Sequence, residues 1–201
     1  MSLAKEYINP LLEKSFEEIR SYVSEIERRP GDREQIAKAI CDYVGATVAG
    51  KSKSLASSLY TKLSEKTLNN EPFLTNKNKN RFYDKDIWSM IFDKYSFTAQ
   101  ENINYARVDE NLAALPIPVA TVGLGALLSL ALPGAVVIPV ALLVATGLYV
   151  RLRNSAKASN TNKFVSAIDA YLDSIKSELL KWFEAIEQFY HQQVNEVKAS
   201  L

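Results

Sequence analysis

The sequence predicts an all-α protein: an amphipathic helical bundle around or attached to a central uncharged hydrophobic helical hairpin, with long N- and C-terminal helices. Three observations predict it. Apolar residues recur at three- and four-residue spacing over most of the chain, as in Leu12, Phe16, Ile19, Val23 and Ile26. Forty consecutive residues, Asn111 to Val150, contain no Asp, Glu, Lys, Arg or His. No segment alternates with period two as a half-buried strand does, and no internal repeat is evident. The organisation expected is an amphipathic region at 1–110, the hairpin at 111–150, and a polar joint with a long C-terminal helix at 151–201.

In chain order, Asn9-Pro10 reads as an N-cap followed by Pro at the first helical position, and ERRPGD closes that helix. Asp32 with Gln35 resembles a capping box opening a second helix through Ile36, Ile40, Tyr43 and Val44. A break is expected at GATVAGKS, before a third stripe of Leu55, Leu59 and Leu63. A polar loop is expected from Asn69 to Arg81. Asp84 then precedes a helix with Ile87, Trp88, Ile91, Phe92 and Tyr95 on one side. Thr98 and Glu101 form another capping box, opening the helix that feeds the apolar segment. After the joint RNSAKASNTN, a stripe of Phe164, Ile168, Tyr171, Ile175, Leu179, Phe183, Ile186, Tyr190, Val194 and Val197 predicts a helix on the order of 50 Å long. Such a helix needs partners along its length: the N-terminal helix, or a second copy of the chain.

The apolar segment divides at Pro133-Gly134, a turn-forming pair, into arms of roughly 33 and 24 Å beside a hydrocarbon core of about 30 Å. The first arm, from Leu112, is long enough to span. The second, ending at Val150, needs Arg151 and Arg153 as snorkelling interfacial anchors, or a thinned bilayer. Thr121, Gly125 and Ser129 share a face of the first arm, as Ala141 and Ala145 do on the second. Folding at the turn brings Gly125 opposite Ala141 or Leu142. The membrane-inserting residues expected are therefore Leu112, Gly125, Leu127, Pro133, Gly134, Ala141 and Val150. Pro116 and Pro118 mark the entry to the first arm, and Pro139 sits in the first turns of the second.

Composition excludes several classes. Basic and acidic side chains number 24 and 23, so no footprint for nucleic acid exists and none is expected as a partner. Cys41 is the only cysteine and His191 the only histidine, which leaves no Cys/His set for a metal. His191 has only Glu187 at ligand spacing, which reads as a surface i,i+4 contact. Carboxylate pairs such as Glu17-Glu18 and Asp109-Glu110 are adjacent and point to different sides of a helix, so no acid/base site, no catalytic residue and no enzyme is expected. The basic run Lys77, Lys79 and Arg81, beside Phe82-Tyr83, reads as a solvated loop. The N-terminus carries early acidic residues and no uninterrupted apolar run, unlike a secretory signal.

One motif points elsewhere. Gly45, Gly50, Lys51 and Ser52 in GATVAGKS fit the phosphate-binding pattern G-x-x-x-x-G-K-[ST]. That loop works between a buried strand and a helix, whereas REQIAKAICDYV before it has helical spacing and embedded charge. Nucleotide binding is therefore the minor alternative, and no cofactor is expected.

An uncharged hairpin among amphipathic helices resembles the pore-forming domains of colicins and the translocation domain of diphtheria toxin, and its position past mid-chain resembles Bcl-2-type proteins. In colicins the hairpin lies near the C-terminus, whereas about fifty residues follow it here. No Asn-Trp-Gly-Arg run of the Bcl-2 type is present. The likeness is one of architecture, and no residue roles are carried over. It implies a bundle that releases its hairpin into a lipid bilayer and permeabilises it as a homo-oligomer assembled through the N- and C-terminal helices. The alternative is a constitutive two-pass membrane scaffold or regulator with cytosolic helices. The expected location is a membrane, with a soluble cytoplasmic or released form under the first reading.

Overall fold

The computed structural model describes residues 2–95 and 161–201. They form α1 (Asn9–Glu27), α2 (Arg33–Leu68), α3 (Asn76–Asp84), α4 (Ile87–Tyr95) and α5 (Thr161–Ala199), with a π-helical turn, Ala4–Ile8, leading into α1. Among the described residues there is no strand, and the all-α class holds for them. The Thr98-Glu101 capping box, the apolar hairpin and nearly all of the polar joint lie outside the described residues.

The apolar stripes set the architecture. All five stripe residues of α1 and all ten of α5 are buried. Helix α1 runs antiparallel to α5, a register fixed by Lys5 with Glu184 (3.0 Å), Glu13 with Lys176 (2.9 Å) and Arg20 with Asp169 and Asp173 (2.8 and 2.7 Å). The α2 helix runs parallel to α5. Its Cys41 pairs with Tyr171 near one end, and its Thr67 accepts from the Tyr190 hydroxyl near the other at 2.8 Å. Among the described residues α1 and α5 contact one another, and α2 is the third long helix.

Three expectations are corrected. The first helix does not open at Asn9. The chain is already helical at Ala4, and the Asn9 N–H bonds five residues back to the Ala4 carbonyl. A proline ring one residue later has no N–H and crowds the preceding turn, and the wider π turn before Pro10 accommodates both. Asp32 does stand in extended backbone at the N-cap of α2, but its side chain makes no capping bond. The polar stretch from Asn69 to Arg81 contains the start of α3, opened by Thr75, whose hydroxyl accepts from the Asn78 N–H at 3.3 Å. Helix α4 in turn is opened by Asp86, whose carboxylate accepts from the Ser89 N–H at 3.3 Å.

The largest correction is at GATVAGKS. No break occurs there: α2 is one helix of 36 residues. Its buried positions Ile36, Ile40, Val44, Val48, Ser52 and Ala56 recur every four residues. Each such step advances about 40° round a helix of 3.6 residues per turn, so the buried face winds instead of staying on one side. The partners follow the winding. Tyr43 meets Tyr22 of α1, while a few turns on Tyr60 meets Trp88 of α4 and Tyr190 of α5. Helix α1 covers one flank, α5 the middle, and α3 with α4 join on the other flank of the second half. There Phe73, Phe82 and Tyr190 form an edge-to-face aromatic cluster.

Candidate functional sites

The residues expected to enter a membrane, Leu112, Gly125, Leu127, Pro133, Gly134, Ala141 and Val150, and the anchors Arg151 and Arg153, lie outside the described residues. Among the described residues, no helix is long and apolar enough to cross a membrane. The amphipathic helices place one face in the core and the charged face outward.

The phosphate-loop motif is a helical surface. Gly45 and Gly50 lie within α2, and the Lys51 ammonium sits 2.5 Å from the Glu18 carboxylate of α1. The Ser52 hydroxyl is buried and donates to the Ala49 carbonyl at 3.1 Å. A phosphate cradle needs converging free N–H groups, and in this helix those groups are spent on the i−4 carbonyls. The Lys51 ammonium also holds Glu18 below the usual carboxylate range, first through the hydrogen bond and then through its charge.

The most developed polar cluster lies where α5 meets the start of the chain. Glu187, on the flank of the α5 stripe, is buried. Its carboxylate accepts from the Ser2 hydroxyl at 2.5 Å, the Leu3 N–H at 2.8 Å and the Ala4 N–H at 2.9 Å. A residue more than 180 positions away thus supplies the acceptor that the first turn of a helix lacks in itself. Burial pushes the Glu187 carboxyl up. The bonds from Ser2, Ala4 and Leu3, with His191 nearby, outweigh that and hold it below its ordinary 4.5. His191 Nε2 lies 3.7 Å from Glu187 Oε1, the i,i+4 contact the spacing predicts. Sequence spacing found that pair but missed Ser2, because a cap supplied across the fold leaves no local signature. The one hint was an acidic residue directly between Ile186 and the buried Tyr190 on the apolar side of α5.

Other chemistry-bearing groups have structural explanations. Burial pushes the Cys41 thiol up to about 12, so it is a core side chain and not a thiolate nucleophile at neutral pH. A groove of about 180 Å³ is lined by Lys66, Thr67, Asn70, His191, Asn195 and Lys198, among others. It lies at the C-terminal ends of α2 and α5, where helix dipoles favour these lysines and disfavour a bound anion. Arg81 likewise donates to the Ser200 carbonyl at the end of α5. Among the described residues, no group of three His, Cys, Asp or Glu is placed to hold a metal ion.

No family model, no curated protein and no solved structure matches this chain.

Proposed function

We propose that this protein is a membrane-inserting helical-hairpin protein that permeabilises bilayers through oligomers, with Leu112 to Val150 as the inserting element. The observation that carries this reading is the forty-residue uncharged segment, divided by Pro133-Gly134, in a chain whose other stretches carry charges every few residues. The three long helices support it as a scaffold able to exist in water, because their apolar stripes are satisfied by one another. The amphipathic helices then act as carrier and, in the assembled state, as the surfaces between copies. Arg151 and Arg153 remain at the interface as the uncharged tip at Gly134 crosses first.

Detergent-free expression followed by high-speed centrifugation, then mixing with dye-loaded liposomes, tests the reading. The expected result is protein in the supernatant that binds liposomes and releases dye. Protein that is recovered only with membranes and requires detergent would instead establish the two-pass scaffold. Soluble protein that leaves liposomes intact and unbound would overturn membrane action.

A further inference from the structure

We infer that Glu187 is an acid-labile latch that holds the start of the chain on α5, and that its protonation lifts this segment and loosens the bundle for membrane entry. The inference rests on the membrane-inserting reading for its purpose, but the latch itself stands on geometry. Three donors from Ser2, Leu3 and Ala4 converge on one carboxylate at 2.5 to 2.9 Å. A protonated carboxyl accepts weakly and carries no charge to complement the N–H groups of a helix start.

Other charged groups line the same seam. On the α1 side Lys5 reaches Glu184, one turn before Glu187 on α5. Further along the same seam, Glu13 pairs with Lys176, and Arg20 with Asp169 and Asp173. His191 faces Glu187 from the next turn of α5, and α4 brings Lys94 over the ring of Phe189. On the α2 side Lys62, paired with Glu65, lies near Tyr7 of the π turn. The α3–α4 flank is built differently: aromatic contacts of Phe82 and Tyr60 hold it, with Lys85 and Glu196 as its ion pair to α5. The Glu187 cluster belongs to the α1 flank, so loss of its bonds acts there first.

The sign follows from the direction of the shift. The Glu187 carboxyl is held below 4.5 in the folded protein, so the latch is fully closed above that value and opens as pH falls through the folded value. Beneath it lie Ala4, Ile8 and Leu12, whose apolar contacts weaken when the segment lifts.

Amide hydrogen exchange on the full-length protein in solution, followed from neutral to acidic pH and corrected for intrinsic rates, tests the latch. In the wild type, protection at Leu3 and Ala4 should fall about tenfold or more on acidification while the Phe82 region stays protected. Ser2→Ala, which removes one donor only, should move this release to higher pH. Glu187→Gln should lower the same protection at neutral pH and flatten its pH dependence. A single transition shared by both regions, unmoved by Ser2→Ala, would overturn the latch. Leakage from vesicles of phosphatidylcholine and phosphatidylglycerol, measured in parallel, separates the two ideas. Release of the segment with tight vesicles leaves the latch standing and removes its membrane purpose, whereas retained protection at low pH removes the latch whatever the vesicles do.

Discussion

Gly45 and Gly50 show what a single residue can conceal. Both sit inside a continuous helix, and a Cβ added at either meets no heavy atom within 4 Å. Glycine in a helix interior costs about 0.5–1 kcal/mol relative to alanine. Gly45→Ala and Gly50→Ala should therefore each raise stability by that amount in thermal unfolding. Destabilisation by both would instead point to the helix break that the motif suggests. Lys51→Ala removes only an exposed ion pair, and neither ATP nor GTP should shift the melting temperature of the parent protein. Tyr190 gives a residue-level test at the opposite end of the pH range. Burial pushes its hydroxyl up to about 12 from the usual 10, and in its neutral form it donates to Thr67. Its contribution is present below pH 10 and is lost as pH rises through 12. Tyr190→Phe should cost about 1 kcal/mol at neutral pH and reduce the alkaline loss, as urea unfolding at the two pH values would show.

How far the helices could be read from sequence depends on whether their stripes stay on one face. In α1 and α5 they do, and Phe16, Ile19, Phe183 and Ile186 are placed as the spacing predicts. In α2 the strict four-residue recurrence from Ile36 to Ala56 winds the buried face round the helix. With two glycines at the same place, that winding looks like an interruption. The π turn before Pro10 and the short α3 were illegible for a different reason: Asn9-Pro10 has the form of a helix start, and the Thr75 cap stands inside a polar run that has the composition of a loop. The Glu187 cap was illegible too, since its donors are supplied from the far end of the sequence. Truncation at the joint of the three long helices tests the packing. Phe16 is buried and lines, with Leu12, Ile19, Val48, Leu55 and Leu179, a void of only about 10 Å³. Phe16→Ala enlarges it by most of a ring and should cost about 3–5 kcal/mol in denaturant unfolding, whereas Tyr83→Ala, at an exposed ring, should fall within about 0.5 kcal/mol of the parent.

Taken together, the chain combines helices whose apolar stripes are buried among the described residues with forty residues that contain no charge at all. The proposed division of labour is that the bundle carries and the hairpin enters. An aspartate at Leu127 adds about 2.5–3.5 kcal/mol to insertion of the first arm, so Leu127→Asp should abolish dye release. Gly134→Asp should leave the helical circular dichroism spectrum unchanged and slow dye release, because the charge at the turn must cross the bilayer. The passage of that turn is the central claim, and one measurement addresses it most directly. In a Cys41→Ser background, Gly134→Cys and Ser155→Cys proteins are added to sealed liposomes and exposed to an impermeant thiol reagent, either outside or trapped in the lumen. The account predicts that the thiol at 134 reacts with the trapped reagent while the thiol at 155 reacts only with the external one. Labelling of both positions from the outside alone would contradict it.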